Sequence, residues 1–244
     1  MADQFESEKK EWIRRIASDT GLQKISLEWI THASRYKYSY HFTWLGRPII
    51  QFPQDIVMMQ EIIWNTRPDV IIETGIAHGG SLIFYASMLE LLGNGGKVLG
   101  IDIDIREHNR REIERHPLYK NIQMVEGSST DKDVVDQVYA AVQGKRVLLS
   151  LDSLHTHDHV LKELMLYSPL VSRGSYIVVF DTIIEDFPDG SFPDRPWKKG
   201  NNPMTAVKKF LELTDRFVVD TEITSKLLIS SAVNGYLRCV KDAR

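Results

Sequence analysis

Residues 67–81 combine a short apolar run, an acidic residue and a glycine-bearing turn: Arg67-Pro68-Asp69-Val70-Ile71-Ile72-Glu73-Thr74-Gly75-Ile76-Ala77-His78-Gly79-Gly80-Ser81. The apolar run at 70–72 predicts a buried strand, and apolar residues at three- and four-residue spacing over 79–92 predict a helix. A strand that passes through a glycine turn into a helix is the repeating unit of a parallel α/β sheet.

The same alternation continues on both sides of this unit. Helices are predicted over 53–66, ahead of the first strand, and near 106–116, 131–142, 158–169 and 203–213. Further β-branched runs predict strands at 98–101, 122–125, 147–151, 176–180, 217–219, 227–231 and 236–240. Asn234-Gly235 joins the last two, and this dipeptide favours a tight hairpin because both positions tolerate positive φ. The sequence therefore predicts an α/β fold whose mainly parallel sheet ends in an antiparallel hairpin.

The composition is that of a globular protein. The chain has 244 residues, 43% of them hydrophobic, a formal net charge of −3 and one cysteine, Cys239, which excludes a disordered chain or a disulfide scaffold. No apolar run approaches the roughly 18 residues of a membrane span. The net charge of the first 50 residues differs too little from that of the remainder to indicate a nucleic-acid surface. We expect a soluble cytoplasmic protein with no nucleic-acid partner and no membrane span.

Residues 1–50 precede the α/β pattern and form a predicted N-terminal helical extension, with helices at 6–17 and 26–36, whereas residues 51–244 form the main domain. The segment 36–48 is rich in aromatic residues and too irregular for a helix or strand, so it is expected to be an ordered loop. Such rings either line a ligand or cover the core of the extension. The irregular segment 185–202 is long enough to be functional or mobile.

In an open parallel sheet, ligands lie beyond the carboxyl ends of the strands. The glycines after the first strand allow a ligand to approach closely, and the free N–H groups at the helix start suit a carboxylate or phosphate. The spacing G-x-x-x-G-G differs from the G-x-G-x-x-G of dinucleotide folds. Glu73 would repel a pyrophosphate but could accept hydrogen bonds from an amine or hydroxyl. A plain tight connection is the alternative.

The next two strand ends add residues that could bind the ribose and the purine ring of an adenosine. Asp102 ends the second strand, where a carboxylate can accept both hydroxyls of a ribose. Ser129, after the third strand, could border a purine ring, although N-capping of the helix that starts near Asp131 explains this serine equally well.

Asp152 and Asp181 end two strongly apolar strands and are predicted to meet at one rim, where hard oxygen ligands suit Mg²⁺. Thr182 or Glu185 could add a ligand; the alternative is that each aspartate caps the next element. His155 could act as a general base at the same rim. The spacing of His155, His157 and His159 does not match the H-x-H-x-D-H motif of binuclear metallo-hydrolases.

Four motifs now carry a resemblance: residues 73–81, Ile101-Asp102-Ile103-Asp104, Leu151-Asp152-Ser153-Leu154-His155 and Phe180-Asp181-Thr182. In order and spacing they resemble class I S-adenosylmethionine (SAM)-dependent O-methyltransferases. More narrowly, residues 46–55 and 67–81 resemble the cephalosporin hydroxylase family, whose members are methyltransferase-like and include enzymes of antibiotic tailoring and rhamnosyl O-methylation. The likeness covers about residues 40–240.

The resemblance implies a Rossmann-like methyltransferase sheet of seven strands with the last strand antiparallel. It implies that the methionine end, ribose and adenine of SAM are bordered by residues from four strand ends: Glu73, Gly75, His78, Gly79, Ser81, Asp102, Ser129 and Asp152. In metal-dependent relatives the aspartates that match Asp152 and Asp181 bind Mg²⁺, and a basic residue falls on His155. Relatives carry Glu-Asp where this chain has Phe180-Asp181, so one expected carboxylate is absent.

The function predicted from these residues is Mg-assisted O-methylation of a hydroxylated sugar or natural-product small molecule. Asp152 and Asp181, with Thr182 as a further candidate, would hold the metal ion, and His155 would remove the proton. The chain is expected to be a homo-oligomer. The alternatives are a non-catalytic SAM-binding relative and a metal-dependent hydrolase or hydroxylase that uses His155, His157 and His159.

Overall fold

The first part of the chain folds into two helices and a small hairpin. The structure is a computed structural model that describes residues 2–243. Helices α1 (Ala2–Ser18) and α2 (Thr20–Ser34) are followed by antiparallel strands β1 (Phe42–Trp44) and β2 (Arg47–Ile49). The segment 36–48, expected to be irregular, contains this hairpin because Leu45 and Gly46 both adopt positive φ (44° and 88°), as a two-residue turn requires.

Seven further strands alternate with seven further helices in the described residues. In chain order they are α3 (Pro53–Thr66), β3 (Val70–Thr74), α4 (Gly80–Leu92), β4 (Lys97–Asp102), α5 (Glu107–Glu114), β5 (Ile122–Glu126), α6 (Lys132–Val142), β6 (Val147–Leu151), α7 (His157–Tyr167), β7 (Tyr176–Val179), α8 (Pro203–Leu213), β8 (Phe217–Val219), α9 (Thr221–Leu227) and β9 (Tyr236–Cys239). They form one sheet in the order β5-β4-β3-β6-β7-β9-β8. Only β9 is antiparallel to its neighbours, which confirms the predicted seven-stranded sheet with an antiparallel last strand.

Each side of the sheet is covered by a separate apolar core. Residues of α3 and α4 pack on one face with Ile71 and Leu148, whereas residues of α6, α7 and α8 pack on the other with Ile72 and Leu149. Because side chains alternate along a strand, residues 73 and 150 belong to the α3/α4 face. No helix within residues 2–243 is long and apolar enough to cross a membrane.

The predicted strand at 227–231 and the hairpin at Asn234-Gly235 are wrong. Residues up to Leu227 belong to α9, and the chain then runs irregularly to β9. Ser230 and Ser231 are bound there by the buried carboxylate of Asp55, a contact that local sequence cannot reveal. Gly235 instead allows β9 to approach β7, because a Cβ at this position would overlap the carbonyl of Val179.

The N-terminal hairpin packs directly on α4. Gly80, the first residue of α4, lies against the backbone of Pro48, where a Cβ would overlap the Pro48 carbonyl. The Trp44 indole N–H donates to the Ser87 hydroxyl at 3.0 Å. Helix α2 contributes Ile30 to a smaller cluster that includes Phe187 from the segment after β7. The first 50 residues therefore contact both the glycine turn after β3 (residues 75–80) and the long loop of residues 185–202.

Candidate active site

The turns after β3 and β6 are in direct backbone contact. Gly75 has a φ of +92°, and a Cβ on this residue would overlap the carbonyl of Asp152. The Asp152 N–H donates to the Thr74 carbonyl at 2.9 Å. Gly79, at a φ of +80°, similarly leaves room only for the Ile113 side chain. These glycines are thus required by close approaches within the protein itself.

Asp102 holds the same turn from the neighbouring strand. Its Oδ2 accepts hydrogen bonds from the N–H groups of Ile76 (2.7 Å) and Ala77 (3.3 Å), and its Oδ1 accepts from Asp104 at 3.2 Å. The carboxylate lies at the predicted strand end and is half-buried. It therefore shapes the turn, in addition to any ribose contact.

Glu73 is completely buried between the sheet and α4. Ser81 donates to its Oε2 at 2.7 Å, whereas its Oε1 has no hydrogen-bond partner in the described residues. Burial raises the pKa of Glu73 from the ordinary 4.5 to about 8, against the opposing effect of the Ser81 hydrogen bond. A buried acceptor without a donor fits the ammonium group of an amino-acid ligand such as the methionine end of SAM.

Ser129 and His78 point to protein partners. The Ser129 hydroxyl donates to the buried Glu163 at 2.6 Å and lies 3.2 Å from His159 Nε2, so it is directed at α7. The backbone carbonyl of His78 accepts two hydrogen bonds from the Arg47 guanidinium, the shorter at 2.6 Å. These two residues border the strand ends, but the contacts described here are with other parts of the protein.

Asp152, His155 and Asp181 form the cluster that the sequence predicted. One ligand atom from each lies within 4.8 Å of the others, and His155 Nε2 is 3.2 Å from Asp181 Oδ2. Burial and the nearby Asp181 carboxylate raise the pKa of Asp152. Asp181 precedes a 3₁₀ turn but makes no side-chain capping hydrogen bond. Two carboxylates and an imidazole that converge in this way are a donor set that fits a divalent cation.

The other expected ligands are engaged elsewhere. Thr182 is buried, and its hydroxyl donates to the carbonyls of Val233 (2.7 Å) and Ser231 (3.3 Å). Glu185 accepts from the Gly200 N–H and from Asn202, which ties the two ends of the long loop together. Phe180 is 1% exposed and packs in the core on the α3/α4 face. The structure therefore brings no third carboxylate to the cluster from these positions.

The three histidines diverge. His155 faces Asp181, His157 pairs with the Thr205 hydroxyl at 2.8 Å, and His159 lies 3.3 Å from Glu163. A metal centre built from all three, as the hydrolase alternative requires, is not assembled in the described residues.

The long loop places one aromatic ring at the cluster. Trp197 lies edge-on to the His155 ring with the centroids 4.8 Å apart, and the Arg195 guanidinium covers Trp197 at 5.1 Å. Phe192, another aromatic residue of this loop, packs on Phe187 instead. Trp197 is therefore the residue of this loop that borders the site.

Comparison with known proteins gives a consistent result. The family model described as rhamnosyl O-methyltransferase/CmcI matches residues 36–240. The chain belongs to this family. A rhamnosyl O-methyltransferase of Mycobacterium tuberculosis is 32% identical over 199 residues, covering 80% of this chain and 77% of the relative. The corresponding protein of Mycobacterium leprae is 28% identical, with coverages of 80% and 82%. A structure of CmcI with Mg and SAM has a TM-score of 0.58 at 18% identity, covering 83% and 78%.

Family membership confirms the resemblance and the Rossmann-like methyltransferase fold, and it makes the chain a member of an O-methyltransferase family. The match starts at residue 36, so the aromatic segment and the β1–β2 hairpin are part of the family's common unit. One site feature was missed by the sequence reasoning. Gln51, in the link from β2 to α3, is buried with both amide atoms unpartnered, and no local pattern in the sequence singles it out.

Glu73 should make stability depend on pH. Its pKa in the folded protein lies above the value of an unfolded chain, so the folded state holds an extra proton and the free energy of unfolding falls as pH rises from about 5 to 8. Glu73→Gln has no charge to bury. The free energy of unfolding of the variant, relative to that of the wild type, should therefore rise by roughly 3 kcal/mol from pH 5 to pH 8. Urea unfolding at several pH values without ligand measures it.

The control is Glu112→Gln, which changes an exposed glutamate on α5. Its unfolding free energy should follow the wild-type pH curve. Parallel curves for wild type and Glu73→Gln would contradict the assigned burial of an ionisable Glu73.

Proposed function

We propose that the protein transfers the methyl group of SAM to a hydroxyl of a sugar or natural-product small molecule, with assistance from a divalent cation, expected to be Mg²⁺. The observation that carries the proposal is the convergence of Asp152, His155 and Asp181 directly beside the turn that holds Glu73. The names of the mycobacterial relatives support the sugar, and the CmcI structure with Mg and SAM supports the two cofactors.

The cofactor would lie across the carboxyl ends of β3, β4 and β5. Glu73 would accept from the ammonium of the methionine end, Ser81 at the start of α4 would lie beside it, and Asp102 would accept from the ribose. Ser129 would border the adenine side by its position after β5, because its hydroxyl donates to Glu163 and its carbonyl accepts from the Tyr167 hydroxyl. The remaining residues proposed to border SAM are Gly75, His78, Gly79 and Asp152.

Asp152 and Asp181 would hold the cation, and a bound divalent cation supplies a lower pKa for a nearby acceptor hydroxyl. Thr182 is proposed no further as a ligand, because its hydroxyl is directed to two carbonyls. His155 would accept the proton, and the Asp181 carboxylate, 3.2 Å from His155 Nε2, would stabilise the imidazolium. Trp197 packs against the His155 ring and limits its rotation.

Most of the acceleration would come from geometry. Holding an acceptor oxygen and the methyl group in line contributes about 7–11 kcal/mol, and positioned proton removal adds about 10²- to 10⁴-fold. The Trp197 ring next to His155 offers an apolar surface on which the face of a sugar ring can pack.

A second candidate is a SAM-binding protein without catalytic activity. The observation in its favour is Phe180, which replaces the expected carboxylate with a core side chain. Methyl transfer from labelled SAM to a panel of rhamnosides and other glycosides, with Mg²⁺, separates the candidates. S-adenosylhomocysteine binding without any turnover would favour the second candidate, and no binding would contradict both.

Asp152→Asn should abolish turnover and leave the protein folded. The substitution removes the ligand charge but keeps the side-chain shape, and it relieves the repulsion from Asp181 that raises the pKa of Asp152. We expect a rate loss of at least about 10²-fold and S-adenosylhomocysteine affinity largely retained. Initial rates and calorimetry measure both. Asp158→Asn, an exposed change on α7, is the control and should behave as wild type.

His155→Gln distinguishes a proton acceptor from a metal ligand. A proton acceptor at this position predicts turnover lower by about 10²- to 10⁴-fold and unchanged affinity for Mn²⁺, measured by calorimetry or by electron paramagnetic resonance. A large loss of Mn²⁺ affinity would instead assign His155 to the cation. His108→Gln, on the exposed side of α5, should change neither quantity.

Homo-oligomerisation is part of the same proposal. Phe5 and Trp12 share one face of α1, with ring centroids 6.3 Å apart, and Ile25 and Trp29 share one face of α2; all four are exposed. A second copy of the chain would remove this apolar surface from water. Light scattering should then give a multiple of 28.1 kDa, whereas a mass of 28.1 kDa would contradict it.

A further inference from the structure

Gln51 lies in the link between β2 and α3, directly before the N-cap residue Phe52. It is 4% exposed, and neither its amide nitrogen nor its amide oxygen has a hydrogen-bond partner in the described residues. Buried side-chain amides are almost always paired, because an unpaired donor or acceptor keeps its full desolvation cost. Two such atoms on one side chain indicate a missing partner.

The surroundings of Gln51 locate that partner. The Tyr85 hydroxyl, on α4, lies 3.2 Å from the Ser150 hydroxyl of β6. The residues just before Gln51 lie against the start of α4, because Gly80 contacts the backbone of Pro48 and Ile49, and the next residue, Ser81, donates to Glu73. Burial raises the pKa of Tyr85, the Glu73 carboxylate adds to the rise, and the nearby Gln51 amide opposes it. Gln51, Tyr85 and Glu73 therefore share one buried region on the α3/α4 face of the sheet.

This buried region continues to the edge of the sheet where Asp152, His155 and Asp181 lie. Asp152 directly follows Leu151, the last residue of β6, and lies two residues after Ser150. Its carboxylate also acts to raise the pKa of Tyr85. Glu73 contributes the orphaned Oε1 to this region. The buried polar atoms without partners thus include one donor, the Gln51 Nε2, and two acceptors, the Gln51 Oε1 and the Glu73 Oε1.

We propose that Gln51 binds the amino-acid end of the cofactor together with Glu73. The zwitterion of a methionine or homocysteine group carries the complementary set, an ammonium for the two acceptors and a carboxylate for the amide donor. This assignment deepens the proposed function and depends on it. It adds a residue from the link before α3 to a site otherwise built from the ends of the strands.

The experiment compares two ligands that differ only at this end. S-adenosylhomocysteine carries the amino acid, and 5′-methylthioadenosine has a methyl group instead. Both are titrated calorimetrically into wild type, Gln51→Leu and the control Gln60→Leu, which makes the same change further along α3 at a part-exposed position. Gln51→Leu should weaken S-adenosylhomocysteine about 10- to 100-fold, as loss of hydrogen bonds to charged groups predicts, and change 5′-methylthioadenosine less than about 2-fold.

Equal weakening of both ligands, or no weakening of either, would overturn the assignment, and the first would indicate a purely structural Gln51. Failure of wild type to bind either ligand would instead reject the proposed function. Thermal unfolding without ligand gives a second readout. Gln51→Leu removes two unpaired polar atoms and should raise Tm, whereas a lower Tm would show that buried water already satisfies the amide. Gln51→Glu places a negative charge against the ligand carboxylate and should weaken S-adenosylhomocysteine selectively.

Discussion

The contact between Gly75 and the backbone of Asp152 determines the spacing of the whole site. With no room for a Cβ between them, the turn after β3 and the turn after β6 can approach as closely as two backbones allow. The contact places the buried Glu73 and the Asp152–Asp181 pair in one region of low dielectric. Burial raises the pKa values of Glu73 and Asp152, and neighbouring carboxylates add to the rise. Under the proposed function, an ammonium group and a divalent cation would offset this cost of burying carboxylates.

The glycine turn is held by protein contacts from every side. The Asp102 carboxylate accepts from the first two N–H groups of the turn after Gly75. The Arg47 guanidinium donates to the carbonyl of His78, and Gly80 lies against Pro48 of the hairpin. A turn fixed in this way has little conformational entropy left to lose when a ligand binds. The N-terminal hairpin therefore contributes to preorganisation of the site, although it adds no strand to the main sheet.

Much of the fold could be predicted because its signals are local. Alternating β-branched strands and helices with three- and four-residue periodicity located every strand of the main sheet, and the strand ends located Asp102, Asp152 and Asp181. The failures arise where distant residues override local propensity. The run at 227–231 has strand character, but Asp55, about 175 positions earlier in the chain, binds Ser230 and Ser231. The direction of the Ser129 hydroxyl depends likewise on Glu163 of α7. Gln51 could not be singled out because the burial of its amide without hydrogen-bond partners is a property of the folded chain.

Phe180 stands where the family resemblance leads us to expect a carboxylate, and this changes the charge of the cluster. A third carboxylate would give the cluster a charge of −3, whereas Asp152 and Asp181 supply −2, which equals the charge of one divalent cation in magnitude. Phe180 is packed in the α3/α4 core, so the cluster consists of two carboxylates and the imidazole of His155. Imidazole is the side chain that exchanges a proton most readily near neutral pH. Under the proposed function, proton transfer would therefore fall to His155, which lies between Asp181 on one side and Trp197 on the other.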